Sequence, residues 1–174
     1  MNETQEKISS GLERAFASKG FAEPSVEDLK EAAGVSLRTL YKYTPSRDDM
    51  IYAALDHRQK RYIERIFKDL PANGEETLST IIDRAAEWMR TEASHGCLFH
   101  AAVAAAPDDK RLRALLLDHK AEVAHRIAEV TGLRGREADL TLLLEGLTQS
   151  WPLHGSVAVE SAKRLAGSLF QKAA

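Results

Sequence analysis

The chain has 174 residues, of which 44% are hydrophobic and 29% are charged, and its formal net charge is -2. These values are typical of a globular protein that buries a core without disulfide or metal support, and they exclude disordered and fibrous proteins. No apolar run approaches the roughly 20 residues that cross a bilayer, and the N-terminal region lacks a signal-peptide pattern, so we expect a cytoplasmic protein without membrane contact.

Apolar residues recur at helical spacing along the chain, and no run of residues shows the clear apolar-polar alternation that indicates a strand. The first helix is predicted at residues 3–19, with one apolar face and with Gly20 as its left-handed cap. Ser25 then forms an N-cap with an acidic residue three positions later. It begins a short second helix, which Gly34 terminates.

Ser36 caps a third helix, predicted at residues 37–43, which must end before Pro45 because the residue preceding a proline is pushed out of the α region. A long fourth helix starts after Ser46 and ends near Leu70, before the break at residues 71–74. Beyond this break we predict helices at residues 75–94, 97–106, 109–131, 137–153 and 157–172. The predicted fold class is all-α, with about nine helices.

The second and third helices and the short segment between them have the form of a helix-turn-helix. The turn glycine is expected to take a positive φ, and the third helix is expected to cross the second at a steep angle. The apolar residues of the unit should pack the two helices together, and the polar face of the third helix should remain exposed. The predicted packing residues are Leu29, Ala33, Val35 and Leu40.

The residues around the third helix suit contact with DNA. Between Gly34 and Arg47 the sequence has three cations and no acidic residue. Arg38 can donate to guanine, Lys42 and Arg47 can bind phosphates, and hydroxyl groups of this helix can donate to the backbone. The first amides of the second helix offer a further phosphate anchor. The alternative is a helical corner with solvated polar residues.

A family resemblance favours the DNA-binding interpretation. Residues 8–55 read ISSGLERAFASKGFAEPSVEDLKEAAGVSLRTLYKYTPSRDDMIYAAL. This segment resembles the DNA-binding head of the TetR family, in which an amphipathic helix ends in Gly-Phe and is followed by SV..L...AGVS..TLY. The resemblance implies a three-helix head at residues 1–47 and a helical body at residues 48–174 that binds an effector and dimerises.

The resemblance also implies roles for single residues of the head. It implies base or backbone contacts for residues 36–39, and phosphate contacts for Tyr41, Tyr43 and Arg47. Together with the anchor on the second helix, the predicted DNA-binding residues are Ser25, Val26, Ser36, Leu37, Arg38, Thr39, Tyr41, Lys42, Tyr43 and Arg47.

Two positions of the head depart from the family pattern. Thr44 stands where an aromatic or bulky aliphatic side chain is usual, and losing such a side chain is expected to loosen the corner between the third and fourth helices. Lys42 stands where Tyr or His is frequent. The base preference of a relative therefore does not transfer to this chain.

The last two helices are predicted to form a dimer interface. One recognition helix covers few base pairs, so binding calls for two heads about 34 Å apart, or a multiple of it, on successive major grooves. The resemblance implies a four-helix bundle built from two such helix pairs. The alternative is that these apolar faces only complete the core of one copy. The predicted interface residues are Leu143, Gly146, Leu147, Leu165, Leu169 and Phe170.

The resemblance further implies a small-molecule effector site inside the body. Each candidate residue could equally be part of the plain core. Among them, an ionisable side chain in an apolar cavity would need a partner, because an unpaired buried charge is costly. The predicted lining residues are Phe67, Trp88, Met89, Phe99, His100, Glu145 and Trp151.

The segment from His95 to His100 contains Cys97, the one cysteine of the chain, and imidazole and thiolate both bind zinc. The segment has no second cysteine and no adjacent carboxylate. We therefore predict a turn between helices there, with no metal and no cofactor. A single cysteine also excludes an intrachain disulfide and fits a reducing compartment.

These observations predict a ligand-responsive repressor that binds a palindromic operator in double-stranded DNA as a homodimer. The alternative is a dimeric small-molecule-binding adaptor that has lost DNA binding. An enzyme is not expected, because the sequence has no GxSxG, HExxH, P-loop or Rossmann glycine pattern.

Overall fold

The computed structural model describes residues 2–93 and 96–171, and this part of the chain is helical without strands. The predicted all-α fold with nine helices is confirmed. The helices are α1 (Glu3–Lys19), α2 (Val26–Ala33), α3 (Leu37–Tyr43), α4 (Arg47–Phe67), α5 (Gly74–Thr91), α6 (Leu98–Ala105), α7 (Lys110–Thr131), α8 (Glu137–His154) and α9 (Ser156–Ser168).

Most observed helix ends lie close to the predicted ones, and three helices end early, among them α5, which ends at Thr91 rather than at residue 94. Helix α4 ends at Phe67 rather than near residue 70, because Asp69 takes a positive φ of 43°, which a right-handed helix does not allow. Helix α9 ends at Ser168 rather than at residue 172. There the N–H groups of Leu169 and Phe170 bond to carbonyls three residues earlier, which tightens the last turn.

The packing divides the chain into two compact units. The first comprises the residues up to Tyr62 together with Cys97–Leu116, and the second comprises Ile63–Gly96 together with the residues from Leu117 onward. This division concerns packing. The predicted division into a DNA-binding head at residues 1–47 and a body at residues 48–174 concerns function, and it stays a prediction.

The core of the first unit joins α1, α2 and α3 to the first half of α4. Helix α1 buries Ile8, Leu12 and Phe16 completely or nearly so, and the ring of Phe16 stacks on that of Phe21 at 5.0 Å between centroids. Helix α6 and the start of α7 add apolar side chains to the same core, among them Leu98, Phe99, Ala102 and Leu112. The helix-turn-helix therefore rests on a scaffold that extends beyond the three N-terminal helices.

Gly11 sets the distance between α1 and α2. A Cβ atom at this position would lie 2.2 Å from the carbonyl oxygen of Ala32 and 2.5 Å from the Cα of Ala33. Because both neighbours are backbone atoms, only glycine allows the two helices to come this close.

The second unit is built around α5, which packs against α8 and α9. Leu78, Ile81 and Ile82 of α5 are fully buried. A Cβ at Gly74 would lie 2.4 Å from the carbonyl oxygen of Thr131, so the start of α5 and the end of α7 also touch at a glycine. No described helix is both long and apolar enough to cross a membrane.

Candidate nucleic-acid interface

The turn between α2 and α3 has the predicted glycine geometry. Gly34 lies in the left-handed region, with φ 62° and ψ 37°, and its N–H donates to the carbonyls of Lys30 and Glu31 at 3.0 Å. Ser36 then caps α3, because its Oγ accepts from the backbone N–H of Thr39 at 3.1 Å. A left-handed glycine with an N-cap two residues later lets the chain end one helix and start the next within three residues.

Helix α3 buries one narrow side and exposes the rest. Leu29 and Ala33 of α2 and Leu40 of α3 are buried, and Val35 is half-buried, so the predicted packing of the unit is confirmed. The side chains exposed on α3 are Leu37, Arg38, Tyr41 and Lys42, with Thr39 and Tyr43 half-buried at the edges. The exposed surface of α3 and its cap therefore consists of predicted DNA-binding residues.

Tyr43 lies at the edge of this surface with a partner from the start of the chain. The side-chain amide of Asn2 donates to its hydroxyl at 3.4 Å, and the Lys42 ammonium lies 5.5 Å from the centre of its ring. These contacts restrict the phenol while leaving its hydroxyl hydrogen available to donate. No pattern in the sequence predicts that Asn2 lies beside α3.

Thr44 fits the corner between α3 and α4 without the expected defect. Its side chain is buried, and its hydroxyl donates to the Leu40 carbonyl at 2.8 Å, which also accepts the Thr44 N–H. The threonine thus closes the last turn of α3 through its own hydrogen bonds, and the smaller side chain has a satisfied polar atom in place of a bulky apolar group.

Arg47 points inward rather than away from the protein. Its Nη2 donates to the carbonyls of Phe21 and Pro24 at 2.7 and 2.9 Å, and the guanidinium lies 5.9 Å from the ring centre of Phe16. The side chain therefore ties the start of α4 to the loop between α1 and α2. Its predicted phosphate contact stays a prediction.

The N-terminus of α2 already holds an anion of the protein itself. Ser25 donates its N–H and its hydroxyl to the carboxylate of Asp28, at 2.8 and 2.6 Å, and Lys19 pairs with that carboxylate at 3.3 Å. The Ser25 hydroxyl, followed by the Ser25 amide and Lys19, lowers the pKa of Asp28 to about 2. A phosphate bound by Ser25 or the half-buried Val26 would lie beside this carboxylate, so this anchor also stays a prediction.

The comparisons with known proteins agree with this geometry. The sequence model for bacterial regulatory proteins of the tetR family matches residues 8–54, which contain all of the helix-turn-helix. The chain carries, at residues 8–54, the domain that this family model describes. It is therefore a DNA-binding transcriptional regulator, as the sequence predicted.

Solved structures of TetR-family regulators share the fold over nearly the whole chain. A regulator from Streptomyces coelicolor has a TM-score of 0.80 at 18% identity, covering 96% of this chain and 94% of its own. A regulator from Haloarcula marismortui has 0.78 at 17% identity, covering 97% of each. The multidrug binding protein EbrR, solved with imidazole, has 0.74 at 19% identity, covering 100% and 96%. No curated protein matches the sequence significantly.

Within this TetR-type head, α1 contacts the turn through two cations that the sequence did not predict. Lys7 Nζ donates to the carbonyl of Gly34 at 2.8 Å, and Arg14 Nη2 donates to the carbonyl of Ala32 at 3.2 Å. The signal was present as two basic residues seven positions apart, with Gly11 between them. The role of these two residues depends on which helix packs against this side of α1, and the residues near them in the sequence do not show this.

A buried ion cluster joins α1 to α4. The carboxylate of Glu13 is almost fully buried, and it accepts from Arg58 at 3.0 Å and from Arg61 at 2.8 Å. Nδ1 of His57 lies 2.5 Å from the same carboxylate, and its Nε2 lies 2.9 Å from Glu6. No pattern in the sequence predicts a function for this side of α4.

A second cluster in the first unit joins α4 to the start of α7. The hydroxyl of Tyr52 donates to the carboxylate of Asp109 at 2.8 Å, and the guanidinium of Arg111 lies 3.7 Å from the centre of the Tyr52 ring. Burial, and then the bond to Asp109, raises the pKa of Tyr52 to about 12. Arg111 also reaches Asp49 at 3.4 Å. The cluster fixes the start of α7 on the first half of α4.

The predicted effector residues are distributed over both units. Phe99 and His100 belong to the first unit, where Phe99 is part of the core. The other five belong to the second unit, in which Trp88 is buried and Glu145 pairs with Lys120 at 2.6 Å. Of the remaining members Met89 is buried, Phe67 lies 6.0 Å from the Arg126 guanidinium, and Trp151 lines a shallow cavity of about 340 Å³ beside α5. The effector site stays a prediction.

The predicted interface residues mostly line one groove between α8 and α9. This groove has a volume of about 550 Å³ and is lined by Leu143, Gly146, Leu147, Leu165 and Leu169. The sixth predicted residue, Phe170, is half-buried, and its ring would touch a Cβ at Gly74 at 3.4 Å, so it faces the interior of the second unit. Exposed side chains that the prediction omitted are Leu142, Leu153 and Val157.

The segment considered for zinc lies partly outside the described residues, since His95 is not among them. Among the residues that the structure describes, no group of three or more His, Cys, Asp or Glu side chains could hold a metal ion.

Proposed function

We propose that the protein binds a palindromic operator as a homodimer, with α3 of each copy in a major groove. The observation that carries this proposal is the exposed surface of α3, whose buried side is anchored by Leu40. A short helix held on one side by a left-handed turn and exposed on the other has the form that a major groove accepts.

The roles of the exposed residues follow from their chemistry and place. Arg38 lies in the first turn of α3, where recognition helices meet base edges, and its guanidinium can donate two bonds to guanine. Lys42 and Tyr43 lie one turn later and suit phosphates of the backbone. Ser36 and Thr39 share a hydrogen bond of 2.8 Å between their hydroxyls and suit contacts at the edge of the groove.

The groove between α8 and α9 supports the proposal that two copies associate. Leu142, Leu153 and Leu165 are between 63% and 77% exposed, although leucine side chains stabilise a protein by roughly 1.5 to 3 kcal/mol each when they are buried. A second copy that presents the same ridge and groove would cover these side chains around a two-fold axis. Gly146, with open space around it, allows a helix to approach closely there.

We infer that an effector bound by the body releases the DNA, which makes the protein a repressor. Support comes from two relatives of the same fold, one described as a multidrug binding protein and one as a fatty acid degradation regulator. Helix α4 runs from the first unit into the second, so it offers a continuous connection between body and head. A coupling of about 1 to 3 kcal/mol would change operator affinity by roughly 5- to 150-fold.

The DNA-binding proposal is tested with a duplex that the wild-type protein selects from random-sequence DNA. Arg38→Ala should weaken binding to this duplex by roughly 5- to 150-fold, because a bidentate contact to a base contributes about 1 to 3 kcal/mol. Arg134→Ala, a change of another well-exposed arginine, in the second unit, is the matched control and should bind as the wild type does. Affinity is measured by fluorescence anisotropy at several salt concentrations.

Two outcomes of this experiment would contradict the proposal. If the Arg38→Ala variant binds the duplex as tightly as the wild type does, α3 does not lie in the groove. If the wild-type protein selects no duplex and shows no fall of affinity with salt, the chain acts as a dimeric small-molecule-binding adaptor instead.

A further inference from the structure

We propose that Lys7 and Arg14 of α1 are positioning residues for the recognition helix. Neither lies on α2 or α3, yet both donate hydrogen bonds to the backbone where α2 ends. This inference rests on the proposed placement of α3 in the groove and adds to it the residues that hold the turn.

The end of α2 leaves carbonyl groups without donors from its own helix. The N–H of Gly34 satisfies the carbonyls of Lys30 and Glu31, but the last residues of a helix have no following N–H groups within it. Arg14 supplies a donor to the carbonyl of Ala32, and Lys7 supplies one to the carbonyl of Gly34. Both cations also lie at the negative end of the α2 dipole, where positive charge is stabilising.

The two cations and Gly11 form one stripe along α1. Positions 7, 11 and 14 follow the helical spacing of four and three residues, so their side chains lie on the same face. Gly11 provides the close contact with the backbone of Ala32 and Ala33, Arg14 bonds to the Ala32 carbonyl at this contact, and Lys7 bonds to the Gly34 carbonyl beyond it. The stripe therefore fixes both the distance and the position of the end of α2.

The position of the turn decides where α3 begins. Only Val35 separates Gly34 from Ser36, the N-cap of α3, so a shift of the Gly34 carbonyl moves the first turn of the recognition helix. Base contacts depend on this first turn, whereas phosphate contacts tolerate small shifts because every duplex offers phosphates. Lys7 and Arg14 should therefore affect binding to a specific sequence more than binding to DNA in general.

The experiment compares two duplexes of equal length, one selected by the wild-type protein and one with the same bases scrambled. Lys7→Met and Arg14→Met should each weaken binding to the selected duplex by roughly 2- to 5-fold. This range corresponds to the stabilisation that a cation contributes at a helix C-terminus. Binding to the scrambled duplex and the dependence of affinity on salt should stay unchanged. Lys7→Arg, which can still donate to the Gly34 carbonyl, should retain wild-type selectivity.

A second readout follows the turn itself. The backbone amide resonance of Gly34 should shift in Lys7→Met and should not shift in Lys42→Ala, since Lys42 lies at the other end of α3. Circular dichroism at the measuring temperature confirms that each variant is folded. A role in stability alone would lower the melting temperature and would leave the ratio of the two affinities unchanged.

Three results would overturn the inference. Equal loss of affinity for both duplexes, with the salt slope smaller by about 1, would make the cations phosphate ligands. Unchanged affinity for the selected duplex in both Met variants would show that the stripe does not position α3, and so would a loss of stability without loss of selectivity.

If Arg38→Ala also binds as the wild type does, the proposed placement of α3 fails. If Arg38→Ala weakens binding and the Met variants do not, only this inference fails.

Discussion

At the scale of single residues, the most unusual feature is the buried carboxylate of Glu13. A charge removed from water is costly unless it is paired, and Glu13 is paired with Arg58, Arg61 and His57 of α4. The side chain of Arg58 is 5% exposed and that of Glu13 is 2% exposed, whereas that of Arg61 is 38% exposed. Glu13 and Arg58 therefore form the buried ion pair of this cluster.

We expect Glu13→Ala to destabilise the protein by about 3 to 5 kcal/mol, because it leaves the Arg58 guanidinium buried without its carboxylate. Urea denaturation followed by circular dichroism measures the change in the free energy of unfolding. Glu23→Ala removes an exposed carboxylate from the loop after α1 and should change this free energy by less than about 0.5 kcal/mol. Equal stability of the two variants would mean that Arg58 reaches water once Glu13 is gone.

At the scale of helices, the caps explain which boundaries were predictable. Helices α1 and α3 occupy the predicted residues, because Gly20, Ser36 and the approaching Pro45 act within a few residues of the ends they set. The end of α4 was harder to predict, because the helix ends at the positive φ of Asp69 and not at the proline and glycine that follow it in the sequence. Helix ends set by capping residues can be predicted from the sequence, whereas an end set by a positive φ at a residue other than glycine cannot.

Contacts between helices were the part of the candidate site that the sequence did not predict. The exposed surface of α3 follows from helical spacing, so its members were expected. Lys7 and Arg14 bond to backbone atoms of α2, and Arg47 bonds to the loop after α1, so their roles depend on how the helices are arranged. A backbone acceptor leaves no pattern in the residue types, because every residue carries the same carbonyl.

The close approach of α1 and α2 leads to a prediction at Gly11. Gly11→Ala should destabilise the protein by about 1 to 3 kcal/mol, because its Cβ would overlap the backbone of Ala32 and Ala33 and force the helices apart. The control is Gly167→Ala in α9, whose Cβ would lie 3.7 Å from the carboxylate of Glu75. That control should stabilise the protein by up to about 1 kcal/mol, because alanine favours a helix over glycine.

Thermal unfolding of both variants measures the two effects with opposite signs. Because Gly11 lies between Lys7 and Arg14 on α1, the Gly11→Ala variant should also bind the selected duplex less tightly at temperatures where it is folded. If Gly11→Ala raises the melting temperature as Gly167→Ala does, then α1 and α2 do not approach each other at this glycine.

At the scale of the whole molecule, the apolar groove between α8 and α9 is the surface on which we propose that two copies associate. A large apolar patch on one copy indicates an interaction surface, and here it lies beside a glycine that permits close helix approach. Two heads on one duplex would roughly add their binding free energies, so on this proposal the operator affinity would depend on this surface as well as on α3.

The change Leu165→Glu tests this dependence. Leu165 is 63% exposed in one copy, so the substitution should leave the fold of that copy intact, while it would place a charge in an apolar interface and abolish the dimer at micromolar concentration. Leu117→Glu is the matched control, because Leu117 of α7 is 62% exposed and lies outside the groove. Sedimentation equilibrium gives the mass of each variant, and circular dichroism gives its helix content.

The consequence for DNA separates dimerisation from folding. A folded Leu165→Glu monomer still carries an intact α3, so it should keep weak binding to a single half-site and lose the gain in affinity that a palindrome gives the wild type. Leu117→Glu should keep that gain. A Leu165→Glu variant that remains dimeric and binds the palindrome as tightly as the wild type would move the interface to another face of the protein, and the groove would then need a different occupant.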